Sequence, residues 1–272
     1  MALPSVRRTT GNAPEQSTQR DLDRPTANEI YEQVALNGKR ELKRSNFSLA
    51  VSGIAGGLLM GLTGMSVAIL MSVVGGTPAG RLFAMFFYPL GFTVVILGRS
   101  QLFTENTLYP VALMLAEKRH LFGTLRLWSI VFPANILGAL MFSLLAVKTG
   151  ALRPEYVAEL ARLGVESASV SGSHAFWSGV VGGWIIATVA WLVSGSHSIT
   201  GSVMLIWIMT FIVGAGHFAH CVAGSGEILS SVLAGDMELG GFFRWLLPAT
   251  AGNICGGVLL VTLLEYGQSK FE

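Results

Sequence analysis

Long apolar stretches without charged residues dominate the chain after its first 46 residues. Phe47–Val74 is 28 residues long and uncharged, and Leu127–Val147 and Trp245–Leu264 share this character. About 20 apolar residues suffice for a helix to cross a bilayer. Ala175–Gly226 holds no Asp, Glu, Lys or Arg over 52 residues and accommodates two more helices, divided near residues 194–202. These stretches predict five membrane-spanning helices.

Two apolar stretches are interrupted by polar or small residues at membrane depth. Leu82–Gly98 is short for a crossing and runs into R-S-Q-L-F-T-E-N-T before Leu108–Ala116 becomes apolar again. Phe211–Glu227 carries two histidines among glycines and small residues. Non-helical backbone at this depth is tolerated only inside protein or along a water-filled cavity. We therefore predict six spans with broken helices 2 and 5, and we place His220 at the polar centre of a pore.

Composition supports a membrane protein over a soluble one. Hydrophobic residues make up 51% of the 272 residues, charged residues 12%, and the mean hydropathy is +0.58. The net charge of +2 comes without a basic stripe, so no nucleic-acid partner is expected. Cys221 and Cys255 lie in apolar segments and indicate neither a disulfide nor a zinc site. His217, His220 and Glu227 form only a weak metal signal, so we predict no metal, cofactor or catalytic residue.

The first 45 residues form a separate region, and residues 46–272 form the membrane domain. We expect the first 25 residues to be disordered, because they are polar and contain three prolines. Apolar residues at helical spacing from Ala27 to Arg44 predict an amphipathic helix on the membrane surface. The first apolar run is far longer than the core of a signal peptide, so it is expected to be retained.

Basic residues predict the orientation of the chain. The cluster Lys39, Arg40, Lys43 and Arg44 precedes the first span, and residues 117–120 follow the second, which puts both on one side. Because positive residues accumulate in cytoplasmic loops, both termini are predicted to lie in the cytoplasm, with the spans in the inner (plasma) membrane.

An internal repeat can be read from the sequence. The pattern G-x-x-G-G begins at Gly53 and again at Gly179, 126 residues later. The pattern N-I-x-G begins at Asn135 and again at Asn253, 118 residues later. We expect these glycines to lie at close helix contacts, some within and some between subunits.

A third pair, Thr104 and His220, falls at the two breaks, 116 residues apart. Each unit has three spans, an odd number, so the second must be inverted relative to the first. The predicted fold is an all-α membrane protein of six transmembrane helices in two inverted three-helix repeats. Such repeats with discontinuous helices place a permeation site near the midplane.

Four motifs, in order, resemble those of the formate/nitrite transporter family. They are L-F-T in the second span, F-x-H-x-x-A at 218–223, N-I-L-G-A-L in the third span and G-N-I-C-G-G in the sixth. The resemblance runs from about residue 28 to the C-terminus, and Q-L-F-T-E-N-T looks most like the YfdC-like branch. It implies an aquaporin-like protomer and a homopentamer with one pore per subunit. It also implies passage of small monovalent anions or their conjugate weak acids through the lipid bilayer.

The resemblance also implies which residues line the pathway. Thr104 matches the threonine on the loop that interrupts span two, and His220 matches the central histidine. Tyr88 and Phe92 match the cytoplasmic constriction, and Val213 matches the periplasmic one. The complete expected pathway is His220, Thr104, Tyr88, Phe92, Leu102, Val213, Phe218, Arg99, Gln101, Glu105, Asn135 and Asn253.

The chain departs from the family pattern at three positions. Gln101 replaces an acidic residue, Ala219 replaces a glutamate, and Gly183 replaces an asparagine expected to face the histidine. Arg99 adds a positive charge two residues before Gln101, and an arginine at this depth needs a partner or water. Its expected partner is Glu105, which would make it a structural clamp; without that pairing it would attract anions to the vestibule.

Other roles stay open at this stage. His220 is either a pore-lining group or a buried histidine bonded to the backbone, and Asn135 and Asn253 either line the pathway or hold the helix breaks. A membrane serine protease lacks its G-x-S-G nucleophile here, and a cytochrome lacks histidines on facing helices, so no enzyme is predicted. A proton-coupled secondary transporter is the alternative to a channel, with Glu105 and Glu227 as intramembrane acids.

Overall fold

The computed structural model describes residues 25–271, and its regular structure in that range is entirely helical. The expected disorder of the first 25 residues concerns a segment that, apart from Pro25, lies outside the described residues. The helices are α1 (Ala27–Leu42), α2 (Asn46–Val74), α3 (Pro78–Met85), α4 (Pro89–Leu97), α5 (Tyr109–Glu117), α6 (Leu121–Lys148), α7 (Pro154–Ala168), α8 (Gly172–Ser194), α9 (Ile199–Ala215), α10 (Ala223–Ala234), α11 (Leu239–Cys255) and α12 (Leu263–Phe271). A 3₁₀ turn at Glu105–Thr107 precedes α5, and a π-helical segment at Gly256–Thr262 joins α11 to α12.

The apolar stretches are helices of membrane-spanning length. Within the described residues, five segments are long and apolar enough to cross a bilayer: Asn46–Val74, Pro78–Leu97, Leu121–Lys148, Gly172–Ser194 and Leu239–Lys270. Ile199–Ala215 is apolar but shorter. The prediction of an all-α protein with several apolar helices is confirmed.

α1 forms as the amphipathic pattern predicted, and its buried face contacts the protein itself. Thr26 and Glu29 form a capping box that starts the helix. Val34 is fully buried, and the buried Tyr31 hydroxyl donates a hydrogen bond of 2.6 Å to the carbonyl oxygen of Ala112 in α5. Packing against α5 therefore stabilises the position of α1.

Residues 148–174, which lie between two predicted spans, contain a helix, α7, that was not predicted from the sequence. Leu160 is fully buried, and Gly164 packs so closely on the carbonyl oxygen of Glu227 that a Cβ atom there would overlap it. The Ser231 hydroxyl donates to the carbonyl of Ala161 at 2.6 Å. The available signal was a proline at the helix start followed by apolar residues at helical spacing.

α7 has the same relation to the second half of the chain that α1 has to the first. Gly38 of α1 packs against the carbonyl oxygen of Tyr109 as Gly164 packs against that of Glu227. Gly38 and Gly164 are 126 residues apart, and Tyr109 and Glu227 are 118 apart, the offsets found in the sequence. Each half therefore begins with an amphipathic helix that docks on the helix after its break.

The repeated glycines all make close contacts inside the chain, as expected, and contacts of any of them between subunits stay a prediction. In the first half, the nearest neighbours of Gly53, Gly56 and Gly57 are, in that order, Ala134, Gln101 and Asn135. In the second half, those of Gly179, Gly182 and Gly183 are Ala249, Ala219 and Asn253. A side chain at Gly57 or Gly183 would overlap backbone atoms of the facing asparagine. Gly183 thus faces Asn253, whose backbone supplies the three atoms nearest to a Cβ placed there.

The basic residues at the ends of α1 and α5 meet on one side of the molecule. Lys39 Nζ lies 3.5 Å from a carboxylate oxygen of Glu117, and Arg126 Nη2 donates to the carbonyl oxygen of Leu42 at 2.8 Å. Hydrogen bonds from His120 and Arg119 lower the pKa of Glu117 to about 2. This places the two basic clusters together, as the sequence predicted.

Candidate functional site

The first break in the helices is held open by Asn135. The chain leaves helical structure over residues 98–104, between α4 and the 3₁₀ turn. Asn135 Nδ2 donates to the carbonyl oxygens of Gly53 at 2.7 Å and Gln101 at 2.8 Å, and Oδ1 accepts from the Phe103 N–H at 2.8 Å. The side chain therefore satisfies backbone groups that the missing helix leaves unpaired, which buried structure requires.

The second break, residues 216–222, has the same arrangement around Asn253. Its Nδ2 donates to the carbonyl oxygens of Gly179 and Ala219, both at 2.8 Å, and its Oδ1 accepts from the Cys221 N–H at 2.8 Å. Both asparagine side chains are fully buried with their donors in use. Of the two roles that the sequence left open for Asn135 and Asn253, this geometry supports holding the breaks.

These equivalent bonds define which residues correspond between the two breaks. Gln101 corresponds to Ala219, and Phe103 corresponds to Cys221, each 118 residues apart. The residue corresponding to His220 is therefore Leu102. The sequence pairing of Thr104 with His220 as equivalent positions is wrong, because their spacing of 116 is two residues short.

Thr104 and His220 instead contact each other across the two breaks. Thr104 Oγ1 lies 2.8 Å from His220 Nε2. The Ala223 N–H donates to His220 Nδ1 at 3.1 Å, so Nδ1 is an acceptor and the ring proton belongs on Nε2. The Phe92 ring packs edge-on against the imidazole with 4.9 Å between ring centroids. Both halves of the chain thus contribute one polar group to a single buried centre.

Two cavities adjoin the breaks, one lined by residues of the second break and the other by residues of the first. The first, which we call the α7 cavity, has a volume of about 250 Å³ and is lined by Glu166 and Ser167 of α7 and by His220. The second, the α1 cavity, has a volume of about 490 Å³ and is lined by Arg40 and Glu41 of α1.

The buried residues Phe92, Leu102 and Thr104 line neither cavity. They lie at the level of the breaks, where His220 meets Thr104 and Phe92. An apolar barrier containing one polar pair therefore separates the two cavities.

The structure corrects the placement of Tyr88. Tyr88, Val213 and Phe218 all line the α7 cavity, whereas Tyr88 was expected at the constriction opposite Val213. The Tyr88 ring packs against Gly214 next to Val213 and lies 5.8 Å from the Phe92 ring between centroids. Tyr88 and Val213 therefore lie at the same cavity.

Gln101 is hydrogen-bonded to a carboxylate of α1. Gln101 Nε2 donates to Glu41 Oε2 at 2.7 Å, and Gln101 Oε1 accepts from Asn106 Nδ2 at 2.9 Å. Glu41 also pairs with Arg44 at 3.1 Å. Sequence analysis missed Glu41, because nothing near it in the chain indicates a partner 60 residues away.

Arg99 and Glu105 do not form the expected ion pair. Within residues 25–271, no nitrogen of Arg99 lies within 4.0 Å of a carboxylate oxygen, and the residue is exposed. Glu105 instead accepts a hydrogen bond of 3.5 Å from the Tyr109 hydroxyl. Both residues line the α1 cavity. The predicted structural clamp, an ion pair between Arg99 and Glu105, is therefore not formed within the described residues.

A metal centre has no support in the described part of the chain, where no three His, Cys, Asp or Glu side chains come together in a suitable cluster. His217 and His220, the pair singled out in the sequence, differ in environment. His217 is exposed, and His220 is 1% exposed.

The apolar helices, the two opposed cavities and the buried polar centre define a membrane transport protein. A family model described as "Formate/nitrite transporter" matches residues 28–267. The chain belongs to the formate/nitrite transporter family, which confirms the resemblance seen in the motifs.

Two relatives show how near the chain lies to known members. It is 32% identical over 249 residues to the inner membrane protein YfdC of Escherichia coli, covering 89% of this chain and 78% of that protein. It is 31% identical over 210 residues to a probable formate transporter of Methanothermobacter thermautotrophicus, covering 70% and 77%. The relation to YfdC agrees with the branch indicated by Q-L-F-T-E-N-T.

Solved structures share the fold. A structure described as an FNT family ion channel matches with a TM-score of 0.79 at 19% identity, covering 88% of this chain and 98% of that one. A structure described as a pentameric formate channel with formate bound matches with a TM-score of 0.72 at 17% identity, covering 84% and 98%.

Proposed function

We propose that the chain is a membrane channel for small monovalent anions, which cross the central barrier as their conjugate weak acids. The observation that carries the proposal is the Thr104–His220 contact of 2.8 Å, which lies between two cavities and joins the two halves of the repeat. Family membership makes small-anion transport the function, and the neutral form during passage is our inference from the geometry.

The proposed architecture has six spans in two inverted units. Span 2 consists of α3, α4 and α5, and span 5 consists of α9 and α10, each interrupted at one of the two breaks. The matching bonds of Asn135 and Asn253 support the equivalence of the units, and three spans per unit require the inversion. This is the aquaporin-like arrangement that the family resemblance implies.

The barrier explains why a charged form would not cross easily. Phe92 and Leu102 are buried at the centre, and Tyr88, Val213 and Phe218 close the α7 side. Moving an unpaired ion into such surroundings costs many kcal/mol, whereas the neutral acid loses only hydrogen bonds with water. A hydrophobic constriction can therefore select for neutral species.

The polar pair supplies the chemistry at the barrier. Because His220 Nε2–H donates to Thr104 Oγ1, the threonine hydroxyl hydrogen is left to donate to an anion. A histidine also changes protonation within the working pH range. Protonating the ring at Nδ1 would break the Ala223 N–H bond, so the imidazolium is short-lived. A proton taken up from the side of the α7 cavity, which His220 lines, is passed to the anion, which continues as the neutral acid while the ring returns to its neutral form.

We further propose that residues 1–45 form a cytoplasmic region and residues 46–272 the channel domain, with both termini in the cytoplasm. The meeting of Lys39 with Glu117 on one side supports this orientation. We also propose a homopentamer, as in the structure described as a pentameric formate channel.

The test is weak-acid uptake into proteoliposomes containing wild-type protein or His220→Phe. Wild-type protein should carry at least one of formate, nitrite, acetate, lactate or hydrosulfide without net charge movement. His220→Phe should abolish this uptake or change its pH dependence, and Thr104→Val should lower it. Wild-type flux with an unchanged pH profile in His220→Phe would contradict the mechanism.

A proton-coupled secondary transporter is the second candidate, because Glu105 lines the α1 cavity and Glu227 lines the α7 cavity. The two candidates differ in counterflow. A coupled transporter should take up labelled substrate faster when the vesicles are preloaded with unlabelled substrate, whereas a channel should show no such acceleration.

A further inference from the structure

Two residues with left-handed backbone conformation stand at equivalent positions in the two breaks. Arg99 has φ of 58° and His217 has φ of 51°. Each lies two residues before the carbonyl that an asparagine side chain binds, those of Gln101 and Ala219. Arg99 and His217 are 118 residues apart, as are all the equivalent residues of the breaks.

The backbone conformation at these two positions does not account for the presence of an arginine and a histidine. Glycine adopts positive φ without penalty, whereas most other residues are strained there, and such strain is concentrated at functional positions. Histidine tolerates this region better than arginine does, but glycine would suit both positions better. An ionisable side chain at each equivalent position therefore indicates a role for its charge.

The two side chains belong to different cavities. Arg99 is exposed and lines the α1 cavity, and His217 is exposed and lines the α7 cavity. Within the described residues, no lysine or arginine lines the α7 cavity. Histidine is thus the only kind of side chain lining that cavity that can become positive.

We propose that His217 is a pH-dependent anion-attracting group at the α7 cavity, and that Arg99 is its permanently charged counterpart at the α1 cavity. This inference rests on the proposed function and adds an asymmetry to it. The α1 side attracts anions at every pH. The α7 side attracts them when its surroundings are acidic, which is also when a weak acid is most easily protonated.

The other charged groups around His217 are consistent with a stronger attraction of anions at low pH. Glu166 of α7 is neutralised by Arg81 of α3 at 3.3 Å and by Arg162 at 3.1 Å. Glu227 of α10 accepts a bond from Ser167 at 3.2 Å.

The remaining titratable groups that line this cavity are His174 of α8, Tyr88 and His220. Falling pH adds positive charge to histidines and removes negative charge from carboxylates, so both changes make the cavity more attractive to an anion.

The experiment measures initial uptake of one transported acid into right-side-out and inside-out membrane vesicles, while the external pH is varied from 5 to 8 at fixed internal pH. The variants are His217→Asn, a neutral residue that tolerates positive φ, and His217→Lys, a fixed positive charge. His174→Asn is the matched control, because His174 is another exposed histidine of the same cavity.

With the α7 side outward, His217→Asn should lower uptake at pH 5 about threefold to tenfold at low salt and have little effect at pH 8. His217→Lys should raise uptake at pH 8 toward the pH 5 rate. The differences should shrink at high salt, which screens exposed charges beyond a few ångströms. With the α1 side outward, the His217 variants should match wild type.

An Asn variant whose uptake keeps the wild-type ratio between pH 5 and pH 8 would overturn the inference while transport itself persists. Equal effects of His217→Asn and His174→Asn would also overturn it, because the position in the break would then have no special role. Absence of uptake by wild-type protein would instead count against the proposed function, so the two failures are distinguishable.

Discussion

Replacing Asn253 with leucine should unfold the second break, and the cost can be worked out from its bonds. The substitution leaves the carbonyl oxygens of Gly179 and Ala219 and the N–H of Cys221 without the partners they now have at 2.8 Å. A buried group left unpaired costs about 1–3 kcal/mol, so three such groups predict a loss of roughly 3–9 kcal/mol. Asn135→Leu breaks the corresponding three bonds and should cost the same.

The assay is thermal unfolding in detergent followed by tryptophan fluorescence, with size-exclusion chromatography to check that the sample stays monodisperse. At about 2–4 °C per kcal/mol, a loss of this size should lower the midpoint by roughly 6 °C or more. Ser129→Ala on α6 is the control, because its hydroxyl is exposed and bonds only to a carbonyl of its own helix. Midpoints within about 2 °C of wild type for either leucine variant would refute the reasoning, as would a large difference between the two.

Three further predictions concern other parts of the molecule. Arg99→Gln should lower anion flux more at low salt than at high salt without destabilising the fold, and Glu105→Gln should leave stability unchanged; a matched loss of stability in both would restore the clamp. Gly57→Ala and Gly183→Ala should each prevent folding or lower the unfolding midpoint strongly, because each Cβ would overlap the facing asparagine backbone; normal expression and stability of either would contradict that packing. Native mass spectrometry in mild detergent should show a pentamer, and a purely monomeric or dimeric particle would argue against the proposed assembly.

Local sequence determined the long apolar helices and the two stretches of non-helical backbone at residues 98–104 and 216–222. Uncharged apolar runs require helical backbone in a bilayer, because no water is present to satisfy exposed amides. Thr104, His220 and the two asparagines stand out for the same reason, since polar residues at this depth need a partner. The repeat was also visible, because the same packing problem is solved twice with glycine and asparagine at matching positions.

The side-chain partners were decided only by the tertiary structure. Glu41 reaches Gln101 because α1 docks on α5. Arg99 is exposed and forms no ion pair with Glu105, whose carboxylate accepts from the Tyr109 hydroxyl. Both outcomes depend on how separate helices are placed, and the spacing of residues along the chain contains no information about that placement.

The tertiary structure also decided which residues lie on each side of the barrier. Sequence position alone put Tyr88 opposite Val213, yet both line one cavity because α4 and α9 pack beside each other. α7 was missed because its short amphipathic pattern resembles a polar loop until α10 provides the surface that buries it. Membrane depth and helical periodicity are local properties of a chain, whereas the pairing of charges and the lining of a cavity arise only when distant helices meet.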